Sequence, residues 1–141
     1  MKNILTNLMT TVGLLCTLGG GLNAQSYRLS ATVPFGWQAN SQHLGAGTYQ
    51  VTKEQNAPMI SVRNTTDGKV TYVITSASSG TNSRPRLVFH RIGDQYFLAE
   101  VWAPGSTGAT LVMSSAEKES MASVKGREVA TVLVDLLPAF N

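Results

Sequence analysis

The chain contains few of the residues that hold metals or form cross-links. Of its 141 residues, one is a cysteine, Cys16, and two are histidines, His43 and His90. A lone cysteine excludes a disulfide-stapled scaffold, so a hydrophobic core has to stabilise the fold, and the length suits one domain. Because no HExxH-type spacing is present, a zinc site would have to gather carboxylates from distant turns. We therefore expect neither a metal nor another cofactor.

Charge of either sign is also sparse. Asp, Glu, Lys and Arg together make up 13% of the chain, and the formal net charge is +3. Nucleic-acid binders carry a basic stripe, which this sequence lacks, so nucleic acid is not an expected partner. Two common catalytic motifs are missing as well. There is no GxSxG elbow, and the GSTG run at 105–108 lacks the lysine of a P-loop.

An apolar segment with almost no charge opens the chain. Lys2 is the only charged residue before Arg28, and an apolar, glycine-rich stretch at 8–24 ends in a small residue. This order is typical of a secretory signal peptide. We predict a signal peptide over residues 1–24 and an exported domain over 25–141, periplasmic or extracellular, with no membrane span after cleavage. A retained anchor is the alternative, but a spanning helix needs about 20 apolar residues, more than this stretch offers.

Period-2 alternation follows the opening segment and predicts strands. It is clear at 27–35 and at 69–75, where the apolar members are Val70, Tyr72 and Ile74. QANSQH at 38–43 indicates a polar link, and the β-branched run at 127–137 indicates a buried final strand. The pattern predicts a mainly β fold: a single antiparallel β-sandwich or barrel-like domain of about seven strands with one short helix late in the chain.

The helix has its own start pattern. Ser114 followed three residues later by Glu117 is a capping box, which predicts a helix continuing toward Gly126. Glu117 and Glu119 lie two apart and so point in different directions on a helix. That spacing favours a solvated face over the paired carboxylates of a glycosidase.

Specific structures are predicted for two turns. Tyr49 begins a strand just after Gly47, and a tyrosine so placed in a Greek-key sandwich often bonds its hydroxyl back to the upstream backbone. The alternative is an ordinary strand tyrosine with its hydroxyl in water. Asn64-Thr65-Thr66 is formally a glycosylation sequon, which we interpret as a turn.

The most distinctive run is RPRLVFHRIGDQYFLAEVW at 84–102. Gly93-Asp94 predicts a two-residue hairpin turn, because glycine can take the positive φ that tight turns require. We assign structural roles to one glycine and three large apolar side chains of this hairpin, in addition to Tyr49. They are Phe89, Gly93, Leu98 and Trp102.

The same hairpin holds a tempting acid–base pair, His90 and Glu100. With a two-residue turn, Leu87 faces Glu100, and the alternation of faces puts His90 on the opposite side of the sheet. General acid–base partners must lie within hydrogen-bond reach, so this arrangement excludes the pair as catalytic. Glu100 then needs either a solvated strand end or an arginine from another strand.

The polar end of the hairpin is the predicted contact surface. Arg91, Asp94 and Tyr96 cluster at its tip, with Arg84 and Arg86 as a basic approach. Our first hypothesis is a non-enzymatic protein of the cell envelope that is structural or acts by binding a polysaccharide, a protein or a copy of itself. One alternative is a small secreted hydrolase or carbohydrate-active enzyme using His90 with a carboxylate from another strand. A second is a lipid-binding β-barrel with a hollow interior.

Three stretches carry a family resemblance: VPFGW with the following LGAGTYQV, LVFHRIGDQYFLAEVW, and SSAEKE. They resemble a largely uncharacterised family of small secreted bacterial proteins with VPF, LPAGTY and FHRYGDQYFL motifs. Gly45 stands in place of the family's proline, and Ile92 in place of the tyrosine before Gly-Asp. The resemblance implies secretion and a β-rich domain, and it implies no catalytic residue.

Overall fold

A computed structural model describes residues 27–53, 57–81, 84–104, 107–124 and 129–139. The predicted signal peptide lies outside these ranges. The described part is mainly β, as the alternation predicts, with eleven strands and one helix. In chain order these are β1 (Tyr27–Val33), β2 (Trp37–Ala39), β3 (Gln42–Leu44), β4 (Gly47–Lys53), β5 (Met59–Asn64), β6 (Val70–Thr81), β7 (Arg86–Ile92), β8 (Gln95–Trp102), β9 (Thr107–Leu111), α1 (Ser115–Ser123), β10 (Ala130–Asp135) and β11 (Leu137–Pro138).

The strands form one path that nearly closes on itself. The order is β10-β7-β8-β9-β6-β5-β4-β1-β11, and the short β2 joins β8 in parallel while pairing with β3. The long β6 pairs with β5 through its first half and with β9 through its second. Only Leu136 separates β10, which pairs with β7, from β11, which pairs with β1. The last segment therefore links the two ends of the path into a barrel-like domain.

The core fills the space that the strands enclose. Both halves of the path contribute to it, and most of its members are large aliphatic or aromatic side chains with 0–4% exposure. The largest fully buried ones are Tyr49, Phe89, Phe97, Ile60, Leu87, Leu136, Val33, Val51, Val62, Val73 and Val101. The predicted structural residues Phe89 and Leu98 belong to the main cluster.

The structure contains more strands than the seven expected, and the QANSQH segment is one reason. Instead of a polar link it forms the β2–β3 hairpin, closed by a two-residue turn at Asn40 and Ser41. Both turn residues have positive φ, 48° and 65°. Two positive φ values are typical of a type I′ turn, in which glycine usually takes the position that Ser41 occupies here. Because that glycine is missing, the sequence does not predict this hairpin.

In two strands, β6 and β10, the buried side chains differ from those that the sequence pattern predicts. In β6 the apolar Val70, Tyr72 and Ile74 face outward, and Thr71, Val73 and Thr75 are buried. Pairing with the core strand β5 sets this register, since Thr71 lies opposite Val62 and Val73 opposite Ile60. The final run is likewise only half-buried rather than a buried strand, with Leu133 53% exposed. Among the described strands β10 pairs with β7 alone, so its other edge has no strand partner.

The β7–β8 hairpin has the predicted turn and an unpredicted bulge. Ile92 pairs with Gln95 across Gly93-Asp94, and Gly93 has φ +63°. The register holds as far as Phe89 opposite Leu98 and then shifts, so that Val88 lies opposite Glu100. Ala99 is the extra residue of a β-bulge.

The bulge overturns the predicted separation of His90 and Glu100. Leu87 lies opposite Val101, and Glu100 lies opposite Val88. Since Val88 and His90 are two residues apart on β7, Glu100 and His90 share one face of the sheet. One inserted residue reverses the parity of every side chain beyond it.

Helix α1 begins as the capping box predicts. The Ser114 side chain accepts a hydrogen bond from the Glu117 backbone N–H at 3.2 Å. The expectation of a solvated Glu117 is wrong: it is the one buried residue of the helix, whereas Glu119 is exposed. Its carboxylate turns toward the sheet and meets a partner there.

Candidate functional site

Four turns gather at one end of the barrel-like domain. The end of β1 lies beside the start of β4, where Val33 pairs with Gly47. The end of β5 lies on the other side of the start of β4. β2 follows the end of β1 directly and places Gln38 beside Phe97, near the start of β8. The connections β1–β2, β3–β4 and β5–β6 and the β7–β8 hairpin turn therefore meet at this end, which we call the turn end.

A row of aromatic rings crosses the turn end. Successive ring centroids lie 5.1, 5.4, 5.2 and 4.0 Å apart, the first three pairs edge-to-face and the last stacked. In order the rings are Tyr49, Trp37, Phe89, Phe35 and Tyr96. Edge-to-face and offset-stacked pairs are the favourable geometries for such rings. The row connects the core side chains Tyr49, Trp37 and Phe89 to the partly buried rings of Phe35 and Tyr96.

The hairpin tip forms the exposed end of the row. The Arg91 guanidinium lies 5.7 Å from the Tyr96 ring centroid, and its Nε donates to the Gly93 carbonyl at 3.1 Å. Asp94 lies 4.0 Å from Arg91 Nη2 and is fully exposed. We call Arg91, Asp94, Tyr96 and Phe35 the tip cluster. It presents a half-exposed cation held on an aromatic stack.

The structure divides the predicted contact surface. Arg91, Asp94 and Tyr96 lie together, and Phe35, which sequence reasoning missed, completes the cluster. Arg86 begins β7, five residues from Arg91. In the strand register it lies opposite Trp102 on β8 and Asp135 on β10. Five strand residues span about 17 Å and an odd separation changes the face. Arg84 precedes Arg86 and is exposed. The two arginines thus lie away from the tip cluster.

A pocket of about 110 Å³ lies at the other end of the row. Buried Tyr49 and Thr71 lie at its base, and half-buried Asn64 lines its wall. Its lining includes three exposed polar side chains: His43 on β3, and Asp67 and Lys69 in the β5–β6 turn. We call this the corner pocket.

Tyr49 makes the back-bond that its position predicts. Its hydroxyl donates to the Gly45 carbonyl at 2.6 Å, and the residue is 1% exposed. Burial raises the pKa of the Tyr49 hydroxyl, and the Asp67 carboxylate raises it further, whereas the Asn64 side chain acts in the opposite direction. The corner is therefore closed by a neutral hydroxyl at ordinary pH.

The turn after β5 is fixed by its own side chains, as the turn interpretation of the sequon requires. Asn64 Oδ1 accepts from the Thr66 backbone N–H at 2.8 Å, and Asp67 Oδ1 accepts from the Lys69 backbone N–H at 2.8 Å. Gly68 supplies the positive φ of +73°. Side-chain-to-backbone bonds of this kind are typical of Asx turns.

His90 meets a carboxylate from the helix. Its Nδ1 lies 3.1 Å from Glu117 Oε1, with side-chain exposures of 29% and 7%. One helical turn further, the Ser120 hydroxyl donates to Gln95 Oε1 at 3.1 Å, and Gln38 Nε2 reaches the same oxygen at 3.5 Å. These polar contacts fix α1 on the sheet.

Glu100 finds a partner that the sequence analysis did not consider. The indole N–H of Trp102 donates to Glu100 Oε2 at 2.7 Å. Trp102 is 8% exposed, and Gly108 packs directly beneath its ring. The Glu100 side chain therefore positions a structural tryptophan.

Other kinds of site find no support in the described ranges. No group of three or more Asp, Glu or His side chains comes together there as metal ligands would. Within the same ranges no helix has the length and apolar character needed to span a membrane.

Comparisons with known proteins add no relative. No family model, no curated protein and no solved structure matches the chain. The two ends of the aromatic row are the candidate sites of the described region.

Proposed function

We propose that this protein is an exported, non-enzymatic β protein that acts by binding, and that the tip cluster is its contact surface. The observation that carries the proposal is the Arg91–Tyr96–Phe35 stack. It holds a 48% exposed cation in place beside the stacked rings, on the surface of the hairpin tip. Arginine and aromatic side chains supply much of the binding energy at protein interfaces.

The tip cluster suits a partner with an anionic or planar group. Arg91 Nε is occupied by the Gly93 carbonyl, which leaves the terminal nitrogens directed toward exposed Asp94 and solvent. A guanidinium offers its donors in a planar fork that matches carboxylates and phosphates. An envelope polysaccharide with acidic sugars and an acidic protein segment both present such groups.

Binding by matched variants tests this proposal. Purified wild-type protein and the Arg91→Ala/Tyr96→Ala variant are compared by glycan array and by pull-down from envelope extract. Loss of two anchor side chains is expected to weaken binding about 30-fold or more. Arg63→Ala/Tyr72→Ala, which removes an exposed arginine and tyrosine from β5 and β6, should bind like wild type. Equal binding by all three proteins would remove the tip cluster from consideration.

Export is a separate part of the proposal. It is supported by the charge and hydropathy order of residues 1–24, which predicts a signal peptide. Cell fractionation and mass spectrometry of the N-terminus test it. A mature protein starting near residue 25 in the periplasm or medium is expected, and an uncleaved cytoplasmic chain would contradict it.

The His90 enzyme is the second candidate, because His90 does contact a buried carboxylate. A carboxylate on Nδ1 orients the imidazole and leaves Nε2 as a base. Three cavities of the described region are lined by other residues, and the nearby Ser120 hydroxyl is bonded to Gln95. Hydrolysis of chromogenic esters or glycosides by wild type and not by His90→Ala would favour this candidate.

The lipid-binding barrel receives no support from the interior. A barrel that carries a lipid keeps an apolar cavity between its strands. Here that volume is occupied by the mutually packed side chains of the core cluster. We do not propose it.

A further inference from the structure

We infer that the corner pocket is a subsite for one neutral sugar ring, held by its hydroxyl groups. The inference rests on the proposed binding function and adds to it a ligand class and a second position. The pocket lies at the Tyr49 end of the aromatic row, whereas the tip cluster lies at the Tyr96 end.

The pocket is built before any ligand arrives. The Tyr49–Gly45 bond closes its base, and the Asn64 and Asp67 side-chain bonds fix the turn that carries its charged side chains. The Thr71 hydroxyl, at the base, donates to Gln42 Oε1 at 3.1 Å. A preformed site avoids the entropy cost of ordering side chains on binding.

The pocket offers both hydrogen-bond donors and acceptors. Lys69 provides an ammonium group, His43 provides an imidazole, and Asp67 keeps one carboxylate oxygen beyond the one that its turn uses. Asn64 uses its carbonyl oxygen in the turn and also hydrogen-bonds the Tyr49 hydroxyl, so one N–H of its NH₂ group remains as a donor. Vicinal hydroxyls both donate and accept, so they can satisfy such a set together.

The mixed charge selects against ions. An anion entering the pocket meets the Asp67 carboxylate, whose effect already extends to the Tyr49 hydroxyl. A cation meets Lys69 and finds only one carboxylate, which is fewer than divalent ions require. A neutral, hydroxyl-rich molecule faces neither repulsion.

The size of the pocket sets the extent of the ligand. A volume of about 110 Å³ is somewhat smaller than the ~150 Å³ of a cavity that admits one benzene ring. This accommodates the hydroxyl edge of one ring, and the rest of a longer glycan would lie along the turn end toward the tip cluster. The pocket is too small for a lipid chain.

Titration of ¹⁵N-labelled protein with free monosaccharides tests the inference. Glucose, galactose, rhamnose and N-acetylglucosamine are each added to about 100 mM, a range that reveals a millimolar Kd. At least one sugar should shift the amide signals of Asn64, Asp67, Lys69 and Thr71. Sodium phosphate and calcium chloride at equal concentration should not shift them in a saturable way.

Matched variants separate the pocket from the tip cluster. Asp67→Asn and Lys69→Met should weaken sugar binding about tenfold or more, because each removes a charged hydrogen-bond partner. Asp135→Asn and Lys53→Met lie at the opposite end of their strands and should leave it unchanged. Arg91→Ala/Tyr96→Ala should also retain it, which distinguishes this test from that of the proposed function.

Three results would overturn the inference. They are saturable shifts with phosphate or calcium alone, no saturable shift with any of the four sugars, and equal sugar affinity for Asp67→Asn, Lys69→Met and wild type.

Discussion

Tyr49 shows how one hydroxyl can fix a corner and shape a pocket at once. Its ring packs edge-to-face on Trp37, and its oxygen reaches the Gly45 carbonyl. Tyr49→Phe keeps the ring and removes the bond, so we expect the free energy of unfolding to fall by about 1 kcal/mol. Urea denaturation measures this. Tyr72→Phe removes a hydroxyl from a 63% exposed side chain and is the matched control, expected to change nothing. Equal midpoints for Tyr49→Phe and wild type would contradict a stabilising back-bond.

Gly108 is required because the Trp102 ring lies close to its backbone. A Cβ at this position would lie 2.8 Å from three atoms of the Trp102 ring, and Glu100 holds that ring in place through the indole N–H. Because the ring cannot move away without losing this bond, Gly108→Ala should destabilise the protein by about 1–3 kcal/mol. Thermal unfolding followed by circular dichroism measures the effect. Gly45→Ala, where a Cβ would meet no atom within 4 Å, is the control expected near wild type.

Helix α1 docks through polar contacts rather than an apolar stripe. Its one buried residue is Glu117, whose carboxylate meets His90, and Ser120 bonds Gln95. Glu117→Ala leaves His90 without its partner, and we expect a loss of about 2 kcal/mol in unfolding free energy. Glu119→Ala, two residues along the same helix and exposed, should cost less than about 0.5 kcal/mol. If both variants unfold at the same urea concentration, the His90 contact does not stabilise the docked helix.

Local patterns predict the start and turns of these elements, and long-range pairing decides their faces. The Ser114 cap and the Gly93-Asp94 turn follow from residues adjacent in sequence, and both are present. The bulge at Ala99 does not, because it depends on how β8 pairs simultaneously with β7 and β9. A small apolar residue in a strand carries no indication of a bulge. The predicted faces are therefore right along β7 and on β8 as far as Leu98, and wrong on β8 from Glu100 onward.

The two candidate sites also differ in how far they could be predicted from the sequence. The tip cluster is mostly visible in the sequence, because Arg91, Asp94 and Tyr96 lie within six residues of one another. The corner pocket is not, because His43 and Lys69 meet only when the β3–β4 and β5–β6 turns lie side by side. The NTTDG turn following a strand that pairs with Tyr49 is the one local feature that could have indicated it.

The burial of tyrosine side chains makes the stability of the whole molecule depend on pH in the alkaline range. Burial raises the pKa of Tyr27 from 10.0 to about 12, and burial raises that of Tyr49 as well. Above pH 10 the unfolded chain ionises first, so stability is complete below that pH and falls as the pH rises toward about 12. Urea midpoints at about pH 8 and about pH 11 should reveal the loss, and Tyr27→Phe should reduce its size. An identical pH slope for Tyr27→Phe would contradict the assigned role of Tyr27.

Closure of the barrel-like domain depends on the last segment, and Leu136 is its central residue. It is 2% exposed, packs in the core cluster, and separates the strand that pairs with β7 from the strand that pairs with β1. Leu136→Ala removes buried methyl groups where the two ends of the path meet, so we expect a loss of about 2–4 kcal/mol. Leu137→Ala, next in sequence and 64% exposed, should cost less than about 0.5 kcal/mol. Hydrogen exchange then locates the effect. If Leu136 joins the two ends, Leu136→Ala should increase exchange in both β1 and β7, whereas faster exchange in β10 and β11 alone would show that the closure contributes little to the rest of the fold.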